Sequence, residues 1–360
     1  MGGRVIQLEP GELAGCLTSS RLHLILLPTE ACNFRCVYCY ETFQQKRMEP
    51  WVVAGVKRLL ARRAAGLDHL TLSWFGGEPL LAPDIIDDVM EHAGRLRDAH
   101  PELVVSSDIT TNAFLLSPDR AARLLDLGVT QFQISFDGPR EWHDRKRIRP
   151  GGKGTFDRIW ENLKGLRDLD RPCHVMVRLH VDRENEPALP EFLDALAREF
   201  GTDARFELFA RALGRFGGPN DESLPTFDST EARAAVDRVR AQAVARGLRL
   251  KPLPAGTAIC YAAHRNSFLV RSNGALNKCT LALDHPGNQV GRLNEDGTVV
   301  IDRGRILPWM RGLSSGAAEA LACPMRGLAD PVSPPSRRAA AASQRPIRES
   351  APLAPASGPA

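Results

Sequence analysis

The 360-residue chain lacks several features that would each indicate a particular class of protein. No apolar run approaches the ~20 residues that span a bilayer, and the N-terminus has no apolar core of the signal-peptide type. The 47 basic and 43 acidic residues leave a net charge of +4. This balance offers no argument for nucleic-acid binding, which would show as a concentrated basic face. We therefore expect a cytoplasmic protein with no membrane or nucleic-acid partner.

Strand-type and helix-type apolar patterns alternate along most of the chain. Such alternation predicts an α/β fold with a parallel sheet and right-handed crossovers. Six units suit a partial (β/α)6 TIM-like barrel, whose chemistry gathers at the carboxyl ends of the strands. A doubly wound open sheet ranks second, because no Gly-x-Gly-x-x-Gly turn follows the first predicted strand. The six strands are predicted at 22–27, 70–75, 104–110, 131–136, 174–181 and 205–209.

Composition and patterning divide the chain into four predicted parts. A lead-in at 1–19 precedes the barrel at 20–248, and a small C-terminal extension follows at 249–329. Residues 330–360 are mostly Pro, Ala, Ser and Arg, with few large apolar side chains and no periodicity. Such a segment cannot bury enough surface to offset its ordering entropy, so we expect a disordered tail.

Three of the eight cysteines, Cys32, Cys36 and Cys39, lie in one short loop after the first predicted strand. Three thiolates can supply three of the four ligands of a [4Fe–4S] cluster, which leaves one iron free to bind and reduce a ligand. The alternative is structural zinc, which needs a second Cys/His pair. No such pair follows over roughly the next hundred residues. Without a secretion signal, the cysteines indicate metal binding rather than disulfides.

The spacing of these cysteines, with the aromatic Tyr40 after the last, resembles the cluster-binding loop of the radical S-adenosylmethionine (radical SAM) enzymes. In that family the open iron chelates the methionine part of the cofactor. The resemblance therefore implies that a [4Fe–4S] cluster on the three cysteines cleaves S-adenosylmethionine reductively. The product is a 5′-deoxyadenosyl radical that abstracts hydrogen from an unactivated carbon.

Three further strand ends resemble cofactor-binding positions of the same family. The Gly-Gly-Glu-Pro run after the second strand resembles the motif whose backbone and acid hold the cofactor's amino group. A serine at the fourth strand end and an arginine shortly after it resemble positions that bind the carboxylate and ribose. Without the resemblance, that second region would be interpreted as a turn and a solvated charged segment. The implied cofactor-binding residues are Gly76, Gly77, Glu78, Pro79, Thr111, Asn112, Ser135 and Arg147, with Ala113 where glycine is more usual.

The C-terminal extension resembles the opening of a SPASM domain, which binds auxiliary iron–sulfur clusters in many peptide-modifying radical SAM enzymes. The resemblance rests on Cys260, Cys279 and a predicted hairpin turn at 272–274, and Cys323 follows later. A plain β-hairpin with ordinary buried thiols is the alternative. Three cysteines could hold at most one auxiliary cluster, and it would lack one protein ligand. Either the extension is degenerate, or a Cys/Gly-rich continuation was lost through a change of reading frame near Arg326, and the abrupt change of composition there favours the second explanation.

Taken with the resemblance, these motifs imply a radical SAM enzyme that modifies a peptide or protein by a cross-link, a thioether or an oxidation. One alternative is an anaerobic sulfatase-maturating enzyme that makes formylglycine, and another is a non-catalytic iron–sulfur electron carrier. The implied partners are the peptide or protein substrate and a reducing protein such as flavodoxin or ferredoxin. No catalytic side chain is assigned beyond the cluster.

Overall fold

The computed structural model describes residues 10–43, 45–252 and 259–328 of the chain. The predicted disordered tail at 330–360 and residues 1–9 of the predicted lead-in lie outside the described residues. Across the described ranges the fold is a mixed α/β arrangement around one ten-stranded sheet that does not close on itself. The predicted α/β fold with a partial barrel is therefore confirmed.

Six parallel strands form the main part of the sheet, and they pair in their order along the chain. Each strand end lies within three residues of its predicted position, because buried strands show as short continuous apolar runs. The six are β1 (Arg21–Leu26), β2 (His69–Trp74), β3 (Val104–Thr111), β4 (Val129–Phe136), β5 (His174–Val181) and β6 (Phe206–Ala212).

A helix follows each parallel strand, as the alternation predicts. In the helix after β3 the Ser117 hydroxyl accepts a hydrogen bond from the backbone N–H of Arg120 at 3.2 Å, and Gly128, with a φ of 86°, follows the last turn. These two residues end the helix at its N- and C-terminus. The helices are α1 (Pro10–Leu17), α2 (Pro50–Arg63), α3 (Pro83–Ala99), α4 (Pro118–Asp126), α5 (Arg140–Lys146), α6 (Phe156–Asp168), α7 (Leu189–Phe200) and α8 (Ser229–Ala245).

The two faces of the parallel strands differ in chemistry. Side chains such as Val177 and Leu179 of β5 are buried in one large apolar core with the helices. The alternate positions of the same strand, Arg178 and His180, point to the other face, because side chains alternate along a strand. The face away from the helices is therefore polar, and it leads to the carboxyl ends of the strands.

The C-terminal extension continues the same sheet beyond β1. Its first strand, β7 (Ser267–Val270), pairs parallel with β1, and antiparallel strands β8 (Ala275–Asn277), β9 (Gln289–Leu293) and β10 (Val299–Ile301) follow. The predicted turn at 272–274 joins β7 to β8. Gly274 has a φ of 79°, and a Cβ there would lie 2.3 Å from the ring of Trp51. Helices α9 (Arg303–Ser315) and α10 (Ala318–Ala322) complete the described part.

The segment after β4 is not a solvated charged stretch. It forms α5, in which His143 is fully buried and Lys146 is 5% exposed. The ammonium of Lys146 donates a hydrogen bond to the fully buried carboxylate of Asp182. Asp182 lies at the end of another strand, β5, so the local run of charged residues in the sequence did not indicate this ion pair. Among the helices within the described ranges, none has the length and apolar character needed to cross a membrane.

Candidate cluster and cofactor site

The loop with Cys32, Cys36 and Cys39 leaves the carboxyl end of β1 and is held against the chain that follows α5. The backbone N–H of Arg35 donates to the carbonyl of Ile148 at 2.7 Å, and that of Val37 donates to the carbonyl of Lys146 at 2.9 Å. These two bonds flank Cys36 and bring it beside Arg147. Two segments more than a hundred residues apart in sequence are thereby joined at the predicted site.

Polar and charged groups lie beside the half-buried thiols of this loop. The backbone N–H of Phe34 donates to Cys32 Sγ at 3.3 Å, and Asn112 Nδ2 lies 4.0 Å from the same sulfur. Burial raises the pKa of Cys36 to about 12, while the charge of Arg147 opposes that shift. Donors and a cation beside sulfur are the features that stabilise thiolate ligands of a cluster.

The described residues contain no group of three His, Cys, Asp or Glu side chains arranged around one metal ion. A closed zinc site would need four ligands at a single ion. The thiolates of a [4Fe–4S] cluster instead bind different irons, so they need not converge on one point.

Glu78 is fully buried at the end of β2, and protein donors occupy both of its carboxylate oxygens. Oε1 accepts hydrogen bonds from the Thr111 hydroxyl at 2.7 Å and from the Leu80 N–H at 3.0 Å, and Oε2 accepts from the Asn112 N–H at 2.7 Å. Burial raises the pKa of Glu78, although the three donors oppose that shift. The carboxylate therefore joins the ends of β2 and β3 and positions Asn112 beside the cluster loop.

The two glycines before Glu78 are explained by close backbone packing. A Cβ at Gly76 would lie 2.2 Å from the carbonyl oxygen of Thr29, and one at Gly77 would lie 2.4 Å from that of Ala31. The N–H of Glu78 also donates to Ala31 at 3.0 Å. The Gly-Gly-Glu-Pro run thus packs directly on the residues that precede Cys32. Pro79, which is buried, begins the short 3-10 turn that follows.

Arg147 lies in a buried polar network that sequence reasoning only partly identified. Its Nη1 donates to the hydroxyl of Tyr38 at 2.9 Å, and that hydroxyl donates to Oδ2 of Asp137 at 2.8 Å. His180 Nδ1 lies 3.1 Å from Oδ1 of the same carboxylate. Burial alone would raise the pKa of Asp137, but His180 and Arg147 hold it well below its ordinary value. The available signal for His180 was its place two residues after Arg178 on the same face of β5, near the end of the strand.

The remaining predicted residues lie at the same edge of the sheet. Ser135 is buried near the end of β4, and its hydroxyl has no hydrogen-bond partner among the residues that the structure describes. Asn112 Nδ2 donates to Oδ1 of Asn33 in the cluster loop at 2.7 Å. Ala113, next to it, has a φ of 60°, which explains why glycine is more usual at this position.

Cys260, Cys279 and Cys323 all lie in the C-terminal extension. Burial raises the pKa of the Cys279 thiol, and the thiols of Cys260 and Cys323 add to that rise. The N–H of Cys260 donates to the carbonyl of Leu321 at 2.9 Å, two residues before Cys323. The described residues hold no group of three such side chains that could bind one metal ion, so a role of these cysteines as cluster ligands stays a prediction.

Comparison with known proteins identifies the family. Residues 26–196 match the model of the radical SAM superfamily, and this range holds all the residues of the first site. This part of the chain is a radical SAM domain. A domain of this superfamily of enzymes implies a [4Fe–4S] cluster and S-adenosylmethionine, and the match confirms the resemblance noted in the sequence.

Individual relatives of this radical SAM chain differ in their named activities. Fe-coproporphyrin III synthase of Methanosarcina barkeri is 28% identical over 172 residues, which cover 48% of this chain and 40% of that protein. PqqA peptide cyclase of Gluconobacter oxydans is 28% identical over 228 residues, covering 63% and 60%. The chain spans about half the length of the curated relatives it matches.

A solved structure of anSMEcpe with bound AdoMet and Cp18Cys peptide has the same fold as the radical SAM chain. The TM-score is 0.58 at 17% identity, and the match covers 80% of each chain. At this identity the similarity concerns the fold. It agrees with a partial barrel that continues into a C-terminal extension.

The described residues fit the cluster and cofactor that a radical SAM domain implies. Three thiols share one loop. The N–H of Phe34 donates to the sulfur of Cys32, and the cation of Arg147 lies beside Cys36. Two polar groups are left for a ligand at the same edge, because the Nε of Arg147 is buried without a hydrogen-bond partner and the Ser135 hydroxyl is unpaired within the described ranges. An anionic, hydrogen-bonding ligand would satisfy both.

Proposed function

We propose that the chain is a radical SAM enzyme acting on a peptide or protein substrate, with a [4Fe–4S] cluster on Cys32, Cys36 and Cys39. When bound, the cluster supplies one electron that cleaves S-adenosylmethionine to methionine and a 5′-deoxyadenosyl radical, which abstracts hydrogen from the substrate. The observation that carries this proposal is the hydrogen-bonded convergence of the cysteine loop, the Gly-Gly-Glu-Pro run, Asn112 and Arg147 at one sheet edge.

In this proposal the protein's own residues bind and orient the cofactor. Arg147 and Ser135 bind its carboxylate, for which arginine offers a planar pair of donors. Glu78 acts through the backbone it braces, and with Gly76, Gly77 and Pro79 it forms the wall that receives the amino group. Tyr38, Asp137 and His180 hold Arg147 in place, so the charge is positioned before the cofactor arrives.

Support for a peptide substrate comes from the relatives. The named activity of PqqA peptide cyclase and the peptide bound to anSMEcpe both concern peptides. We propose the same substrate class here, with electrons delivered by a small reducing protein such as flavodoxin or ferredoxin.

Formation of 5′-deoxyadenosine tests the function. Full-length protein is reconstituted anaerobically with iron and sulfide, reduced with dithionite and supplied with S-adenosylmethionine. We expect the wild type to form 5′-deoxyadenosine and the C32A/C36A/C39A variant to form none, because no thiolate remains to bind the iron. Cys173→Ala, at a half-buried cysteine outside the site, is the control and should match the wild type. Product from the triple variant would contradict the proposal.

We also propose that Cys260, Cys279 and Cys323 hold one auxiliary iron–sulfur cluster without a fourth protein ligand. The C32A/C36A/C39A variant isolates this second site. By the stoichiometry of a [4Fe–4S] cluster, we expect about four iron atoms per chain in the triple variant. Adding Cys279→Ala should remove this iron, and the two results together would support an auxiliary cluster. Reconstituted triple variant without iron would show that these three are ordinary thiols.

A further inference from the structure

Two arginines on the polar face of the sheet have no anionic partner among the described residues. Arg178 lies on β5 and is paired in register with Ser135 of β4, while Arg211 lies on β6 and is paired with His180. Paired residues of neighbouring strands point to the same face, and Arg178 and His180 are two residues apart on one strand. All four side chains therefore share the face that leads to the cofactor site.

Neither guanidinium forms a hydrogen bond or an ion pair within the described ranges. The Nε of Arg178 is buried without a hydrogen-bond partner. The guanidinium carbon of Arg211 lies 5.9 Å from the centroid of the Phe216 ring. By contrast, Arg120 and Arg271, which are also poorly exposed, each form an ion pair with a carboxylate at 2.5–2.6 Å. Arg178 and Arg211 differ from these two arginines in having no such partner in the part of the chain that the structure describes.

The two charges act on each other. Burial, followed by repulsion from Arg211, lowers the pKa of Arg178 to about 10, so it remains a cation at neutral pH. An enclosed cation without a counter-ion is unfavourable, and a second cation beside it increases that cost. Such a pair is stable when a ligand supplies the negative charge.

The position of the pair suggests which ligand this is. Arg178 is paired in register with Ser135, and the guanidinium of Arg211 lies over the ring of Phe216, whose centroid is 5.9 Å from that of Tyr40 in the cluster loop. The pair therefore borders the cofactor site, whose carboxylate already has Arg147 and Ser135 to bind it. A second anion at this place belongs to the substrate.

We propose that Arg178 and Arg211 form a carboxylate-binding subsite that anchors the substrate beside the cofactor. This inference rests on the proposed function and adds to it that the substrate carries an acidic group near the carbon that reacts. A guanidinium binds a carboxylate through two parallel N–H donors, which orients the carboxylate as well as neutralising its charge. The carboxylate is either an Asp or Glu side chain or the C-terminus of a peptide.

Binding of three short peptides distinguishes these sources. The probes are acetyl-Gly-Glu-Gly-amide, acetyl-Gly-Gly-Gly with a free C-terminus, and acetyl-Gly-Gln-Gly-amide, which has no carboxylate. Their affinities for anaerobically reconstituted full-length protein are measured by calorimetry with S-adenosylmethionine present. We expect one acidic probe to bind about tenfold or more tightly than the Gln probe, as for hydrogen bonds to charged groups, and its identity gives the source.

Substitutions then connect the affinity to the two arginines. Arg178→Met and Arg211→Met should each remove that preference, and Arg178→Lys, which keeps the charge without the planar fork, should bind between the wild type and Arg178→Met. Arg198→Met on the exposed face of α7 should bind as the wild type does. Equal affinity of the wild type for acidic and Gln probes would overturn the proposal, as would a matching loss of S-adenosylmethionine affinity in both methionine variants. A wild type that forms no 5′-deoxyadenosine would contradict the proposed function and leave this binding result standing.

Discussion

At the scale of single residues, Glu78 has a task that its motif did not reveal. The motif suggests an acid that faces the cofactor, whereas the carboxylate is fully buried and accepts three hydrogen bonds from the protein. Two of those donors belong to Thr111 and Asn112 at the end of the neighbouring strand. A side-chain amide has only one acceptor atom, whereas both oxygens of Glu78 accept hydrogen bonds. This position therefore requires a carboxylate.

Glu78→Gln tests that task. The amide keeps the shape but turns one acceptor into a donor, which leaves a buried N–H or hydroxyl without a partner at a cost of about 1–3 kcal/mol. We expect the free energy of unfolding to fall by that amount in urea titrations and S-adenosylmethionine to bind more weakly. Glu141→Gln on the exposed side of α5 is the control, since its ion pair with Arg145 is open to water. Unchanged stability of Glu78→Gln would show that the bonds contribute nothing net.

Ala113 offers a second test at this scale. Its φ of 60° lies in the left-handed region, which costs an L-residue roughly 1–2 kcal/mol and glycine little. We expect Ala113→Gly to raise the free energy of unfolding by about 1 kcal/mol. Ala121→Gly is a matched control, because that fully buried alanine lies inside α4. There the same change should lower the free energy of unfolding by about 1 kcal/mol. Changes of the same sign at both positions would refute the strain argument.

At the scale of elements, the site is assembled from loops that pack on one another. The Gly-Gly-Glu-Pro run contacts the residues before Cys32, and the chain after α5 pairs with the residues around Cys36. The segments that follow β1, β2 and β4 are therefore coupled through backbone atoms, and the Glu78 carboxylate adds the end of β3. Backbone contacts of this kind tolerate no added volume, which is why two adjacent glycines are required.

Gly77→Ala should disturb this assembly more than the fold. Gly77 has an ordinary φ, so the effect is steric and comes from a Cβ 2.4 Å from the Ala31 carbonyl. Overpacking of this kind costs about 1–3 kcal/mol, and we expect lower iron incorporation and less 5′-deoxyadenosine. Gly94→Ala in α3, where a Cβ meets nothing within 4 Å, is the control. Iron content equal to the wild type in Gly77→Ala would contradict the packing argument.

The sequence predicted elements well where one local pattern decides them. Strand β5 occupies the predicted 174–181, because alternating apolar residues face the helices along its whole length. Helix α5 was missed, since burial of His143 and Lys146 depends on partners such as Thr155 and Asp182 that no local pattern connects to them. The candidate site follows the same division: its motif residues were predicted, whereas Tyr38, Asp137 and His180, which hold Arg147, were not.

At the scale of the whole molecule, two histidines, His23 (half-buried) and His143 (fully buried), couple the fold to pH. Burial, with repulsion from His264 and Lys278, lowers the pKa of His23 to about 4, and burial, with Arg147, lowers that of His143 to about 3. The unfolded chain takes up these protons near pH 6.5, and the folded chain does so only at the lower values. Between pH 6.5 and 4 the unfolded state therefore binds more protons, so acid destabilises the fold.

Replacing these histidines should reduce that acid sensitivity. Each contributes up to about 1.4 kcal/mol per pH unit within the window, so stability that the wild type loses between pH 6.5 and 4.5 should be partly retained by His23→Gln and by His143→Gln. The two side chains lie on different elements, β1 and α5, so the double variant should show the sum of the two effects. The measurement is the free energy of unfolding from urea titrations at each pH, compared as a difference from the wild type so that groups common to all variants cancel. Difference curves that stay flat from pH 7 to 4.5 would show that these two histidines do not couple protons to folding.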